Sequence, residues 1–174
     1  GYGDPVAYME DKIAFSQNLS EPRDAADHLL LHSLRLGGRF GQEFQEETRV
    51  ILNSLLFDAK RRGTWQVFPA AVLQEHFHKM DIRGTIRATL KVFGDDPKQY
   101  PLLEPLGVAC RYQYDIEDVS TDLAAGYVNI TLEEKEALGI QAEELRDPRS
   151  PGVGRWLQKH ARTQKRPHKW STTI

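Results

Sequence analysis

The chain has 174 residues, 40% of them hydrophobic and 28% charged, with a formal charge of −2. That balance supports an apolar core, excludes a disordered chain, and gives no general pull toward nucleic acid or anionic lipid. Cys110 is the single cysteine, which excludes a disulfide framework and a cysteine-based zinc site; beside Leu106, Val108 and Ala109 it reads as a small core residue. No apolar run approaches the roughly 20 residues of a membrane span and no signal peptide is legible, so the expected location is the cytoplasm.

Helical periodicity then runs along the chain. Asp24 is placed to cap DAADHLLLHSLRLGGRFG, which carries Leu29, Leu30, Leu34 and Leu36 and meets an end or a kink at Gly37-Gly38. QEFQEETRVILNSLLFDAKRRG sets Phe44, Val50, Ile51, Leu55 and Leu56 on one side and stops at Gly63. Pro69 suits the first turn of PAAVLQEHFHKM, with Val72, Leu73, Phe77 and Met80 as its apolar positions. IRGTIRATLKVFGDDP predicts another helix, ended by Gly94, and LLEPLGVACRYQYDIEDVSTDLAAG a further one, ended by Gly126. Thr131 and Glu134 form a capping box for TLEEKEALGI, and a last helix covers SPGVGRWLQKHAR. WQVF (65–68) and YVNI (127–130) are the only β-like pieces, and both are too short to demand a sheet. The expected organisation is one all-α domain over residues 1–163 and a basic tail over 164–174.

Three aspartates, Asp115, Asp118 and Asp122, share one face of the penultimate long helix. Such a stripe is either a solvated face or a cation site. Mg²⁺ takes hard oxygen ligands, uses one or two carboxylates, and completes its octahedron with water and phosphate oxygens, so Asp118 and Asp122, one turn apart, fit that share. Apolar and aromatic neighbours (Tyr112, Tyr114, Ile116, Val119) pack this helix into a bundle, and Gly126 follows it.

PLGVACRYQYDIEDVSTDLAAGYVNITLEEKEALGI resembles the second aspartate-rich region of the squalene and phytoene synthase family. The features that carry the likeness are Leu106-Gly107-Val108-Ala109, Asp118 with Asp122, Gly126, the extended piece Tyr127 to Ile130, Glu133-Glu134 and Gly139-Ile140. SLLFDAKRRG and KMDIRGTIRATLKVFG agree in order with upstream parts of that family, more loosely. The resemblance implies a helical bundle of the isoprenoid synthase type that uses Mg²⁺ and allylic prenyl diphosphates. On it, Asp118 and Asp122 are Mg²⁺ ligands, Asp115 a supporting acid, and Arg61, Arg62, Arg83 and Arg111 contacts to diphosphate. The chain departs from the family at Arg111, Tyr114 and Glu117, and at Ala124 and Ala125 where basic residues are usual. The family's first acidic helix has no counterpart before Asp118, which implies residues ahead of Gly1, a partner chain that supplies it, or a diverged relative with other chemistry.

The remaining clusters each keep two readings. Lys60, Arg61 and Arg62 offer bidentate donors to a diphosphate, or dress a helix C-terminus with favourable cations. Arg83 and Arg87, one turn apart, are a second diphosphate contact or a solvated pair. His28 and His32 read as ordinary surface or core-edge histidines, and His76 and His78 face different sides. Trp65, Phe68, Phe77, Tyr112 and Tyr114 line an apolar prenyl pocket or belong to the core. The tail, with Lys165, Arg166 and Lys169, either touches an anionic membrane surface or is simply solvated. Two functions follow: a Mg²⁺-dependent prenyl diphosphate-using synthase or transferase, or a non-catalytic helical subunit or lipid-binding module with the same fold. Nothing matches a nucleic-acid-binding motif.

Overall fold

The computed structural model describes residues 3–40 and 42–164, without the side chains of 36–40, 42–44, 163 and 164. Helix α1 spans Pro5–Asn18, α2 Ala25–Phe40 and α3 Gln42–Arg61. α4 (Ala70–Phe77) passes through a π-helical stretch, His78–Gly84, into α5 (Thr85–Phe93), and α6 is the long helix Tyr100–Ala124. α7 (Leu132–Ala137) and α8 (Pro151–Gln164) complete the order, with short 3₁₀ turns at Pro97–Gln99 and Glu143–Arg146. No strand occurs among the described residues. No described helix is long and apolar enough to cross a membrane.

Local chemistry sets most of the helix ends. Asp24 accepts a hydrogen bond from the Asp27 backbone N–H at 2.8 Å and so caps α2. Thr131 and Glu134 close their capping box at the start of α7. Gly126 ends α6 with φ +77°, and a Cβ there would lie 2.4 Å from Gly63 Cα. That contact of two glycine backbones brings the end of α3 against the end of α6, with Gly63 N–H donating to Ala125 C=O at 2.9 Å and Trp65 N–H to Gly126 C=O at 3.1 Å. Segments 65–68 and 127–130 then run on together, joined at Leu132 N–H to Phe68 C=O, 2.9 Å, without forming a ladder.

Around the second segment lies the apolar core: Leu123, Val128, Ile130, Ile140, Leu145, Val153 and Trp156, with Trp65 and Val67 packed on it. Alternation puts Val128 and Ile130 inward, which explains the strand-like look of YVNI without a partner strand. Elsewhere α1 and α2 pack on α3, and the π-helical stretch sits between α3 and α6.

Four sequence expectations are corrected. α2 runs through Gly37-Gly38 without a break; glycine costs a helix about 1 kcal/mol but does not forbid it. The helices expected from Pro69 and from Ile82 are joined, because the π-helical stretch absorbs the extra residue that periodicity reads as a boundary. Gly84 belongs to that stretch, where a Cβ would lie 2.3 Å from the Lys79 carbonyl oxygen. Cys110 is exposed, on an outward stripe of α6 with Leu102 and Leu106. Leu29, Leu55 and Val72 also face outward, since each periodic stripe is wider than the contact it makes. Most of the basic tail, residues 165–174, lies outside the described residues.

Candidate functional site

A groove of about 800 Å³ lies between α4, the π-helical stretch and α6, with parts of 129–134 and α8 completing its wall. Its size is that of a small-molecule site, for which about 300–1,000 Å³ is usual. Leu73, Phe77, Ile82, Val108 and Tyr112 supply apolar wall, because the inward stripes of α4 and α6 meet across it. Gly107 brings α6 close to the π-helical stretch: a Cβ there would stand 3.0 Å from Ile86 and 3.1 Å from Ile82 side-chain carbons.

The polar wall has two clusters. In the first, Arg111 Nη1 donates to Asp81 at 3.0 Å and Nη2 to the buried Asp115, while the guanidinium lies 3.8 Å from the Phe77 ring centre. Burial pushes the Asp115 carboxyl above the usual range, against the opposing pull of Arg111. In the second, Glu134 is the hub. It accepts from Trp156 Nε1 at 3.1 Å, from Lys159 at 3.0 Å and from His160 Nε2 at 3.0 Å. Burial works to raise the Glu134 carboxyl, but those donors and the Thr131 N–H together hold it well below the usual range. The imidazole of His160 packs on Trp156, ring centres 4.1 Å apart, and faces Tyr112 at 5.5 Å.

The residues singled out from the sequence fall in different places. Arg111 and Asp115 are in the groove wall, paired with each other. Asp118 is exposed on the outer side of α6. Asp122 is half-buried outside the groove, accepts from Asn129 Nδ2 at 2.8 Å, and is held above the usual range by burial. Arg61 is buried and ties the end of α3 to the core segment: it bonds Asp58 at 2.7 Å and Asn129 Oδ1 at 2.8 Å. That is a structural clamp. Arg62 is exposed. Arg83 pairs with the buried Glu47 at 3.4 Å and Arg87 with the same oxygen at 3.0 Å, away from the groove. His28 and His32 are exposed, Phe77 is buried, Tyr114 is exposed, and Trp65 and Phe68 do not reach the groove.

Asp115 is closed by Arg111, and no group of three or more His, Cys, Asp or Glu side chains is disposed around a common point among the described residues. Sequence reasoning missed His160 and took Glu134 as a cap and as part of the resemblance, not as a groove residue. The one available signal was the pair Trp156 and His160 on a single helix face at a spacing of four.

Fold and site together define an all-helical protein with a half-apolar groove. No family model matches the chain, and neither a curated protein nor a solved structure does.

Proposed function

We propose that this chain binds a prenyl-type ligand, a flexible apolar chain with a polar end, in the groove between α4 and α6. The supporting observation is the groove itself: an apolar wall of suitable volume joined to the Arg111 and Glu134 clusters. The resemblance around residues 105–140 supplies the ligand class, an allylic prenyl diphosphate handled by a protein of the isoprenoid synthase kind. On that resemblance Mg²⁺ arrives with the diphosphate, and Asp118 and Asp122, which lie on α6 outside the groove, are the carboxylates offered to it. When bound, the ion neutralises the leaving diphosphate; the chain's part is to hold the apolar portion away from water.

A second reading is a lipid-binding module without turnover, and the charge of the groove favours it. Glu75, Asp115, Glu133 and Glu134 outnumber Arg111 and Lys159 in its lining, and Arg111 is already shared by two carboxylates. An uncharged head meets that wall at lower cost than a free anion.

Calorimetric titration of farnesyl diphosphate, with Mg²⁺ and with EDTA, and of farnesol separates the two. Mg²⁺-dependent binding of the diphosphate, weakened about tenfold by Asp118→Asn and by Asp122→Asn with unchanged circular dichroism, supports the first reading. Metal-independent binding of farnesol alone supports the second. A chain that takes neither compound is not a prenyl-binding protein.

A further inference from the structure

Charge is unevenly answered along the groove. Glu75 has Lys79 at 2.5 Å, Glu134 has Lys159 and His160, and His78 is matched by Glu104 at 3.0 Å. Glu133 accepts the Ala70 backbone N–H and has no basic side chain against it among the described residues. On α6 a single guanidinium, Arg111, serves two carboxylates, Asp81 and Asp115. Carboxylates therefore exceed cations around the cavity even with His78 and His160 both counted as charged.

Asp115 is where that deficit is buried. The residue is 9% exposed and lines the groove. Arg111 closes its Oδ1 only. Oδ2 has no hydrogen-bond partner among the described residues, and it is not sealed, unlike Arg111 Nε, which is buried on a guanidinium stacked over Phe77. The unmatched group that a ligand meets there is thus an acceptor with a negative charge. A carboxyl held above the usual range by burial agrees with a charge short of partners.

We propose that the groove selects an apolar ligand with a cationic head, an ammonium of the prenylamine kind, whose N–H groups bond Asp115 Oδ2. The inference rests on the groove being the site of a prenyl-type chain and assigns that chain its head group. Val108, Tyr112 and Asp115 line the groove from one face of α6 at spacings of four and three, so a chain laid along the first two brings its end to the third. An ammonium presents three donors and a positive charge to an oxygen that has neither. An alcohol presents a donor without the charge, and a diphosphate adds anions to a wall already rich in them.

Farnesylamine and farnesol test this, because they share the chain and differ in the charge of the head at neutral pH. In calorimetry the wild-type protein binds the amine about tenfold more tightly, the difference between a charge-assisted and a neutral hydrogen bond. Asp115→Asn keeps an acceptor for Arg111 but loses the charge, and brings the ratio to about one while farnesol still binds. Carbon-13 spectra of the wild type give a readout that needs no variant. The Asp115 carboxyl titrates at lower pH with the amine bound than with farnesol bound, because the ammonium favours the ionised form. Equal affinity for amine and alcohol overturns the cationic anchor and leaves the prenyl groove standing. So does an amine preference that survives Asp115→Asn, an Asp115 titration that the amine does not move, or tighter binding of farnesyl diphosphate than of the amine. Failure of all three compounds to bind overturns the groove reading, and this inference with it.

Discussion

Asp27 near the start and Asp115 on α6 are both buried beside cations, and their surroundings push them in opposite directions. Burial disfavours the charge of both. Asp27 overcomes it: Lys12 Nζ stands 2.6 Å away, and Arg23 donates both its side chain at 3.0 Å and its backbone N–H at 3.1 Å. Its carboxyl is held below the usual range. Asp115 has Arg111, which also serves Asp81, and its carboxyl is held above that range. The first cluster shares Lys12 and Arg23 among Asp11, Asp24 and Asp27, and joins α1 to α2. The second is under-supplied, and it lies in the wall of a groove. Where a fold has no further use for a buried charge it satisfies it; incomplete satisfaction next to a cavity is the better pointer to a ligand.

The sharpest way to break this comparison is Lys12→Met. Asp27 would remain buried with Arg23 as its cationic partner, and the expected loss is about 3 kcal/mol in urea denaturation. A loss below about 1 kcal/mol would mean that the cluster is not structural. Glu134→Gln comes next, at about 1–3 kcal/mol, because three donors lose their charged acceptor. Its pH signature has a definite sign. The wild-type carboxyl is depressed by folding, so its contribution is present above the unfolded value near pH 4.3 and lost as pH falls through the folded one. The deficit of the variant therefore shrinks as the solution is acidified.

Asp115→Asn has the smallest expected effect, about 0–1 kcal/mol, since Asn still accepts from Arg111. Its sign is the reverse. A carboxyl raised by folding binds its proton more tightly in the native state, so wild-type stability falls as pH rises from about 4 toward the folded value. The variant should gain on the wild type over that window, read by thermal or urea unfolding at a series of pH values. A variant that loses ground there would show Asp115 to be as well satisfied as Asp27.

Helix ends were the most legible part of the chain. Asp24, the Thr131 and Glu134 box, and the stops at Gly63, Gly94 and Gly126 depend on neighbours within a few residues, and all act as read. The π-helical join was hidden because a one-residue excess looks the same in sequence as a gap between two helices. Cys110 was misplaced because apolar neighbours in sequence, Leu106 among them, proved to be an exposed stripe. Of the candidate site, Arg111 and Asp115 were found as residue types but not as partners of each other. His160 was missed altogether, its anchor Glu134 lying 26 residues away in sequence.

What the sequence determined by itself is therefore what short range controls: an all-α chain, its capped starts and its glycine stops. Tertiary structure alone decided which charges are answered and which are not. Arg61 reaches across 68 residues to Asn129, and Arg111 across 30 to Asp81. Hydrogen bonds of that span are fixed only when helices pack, because burial removes water as the competing partner and leaves each polar atom with whatever the neighbouring helix brings. Among the described residues, Arg111 Nε and His160 Nδ1 are left without a hydrogen-bond partner.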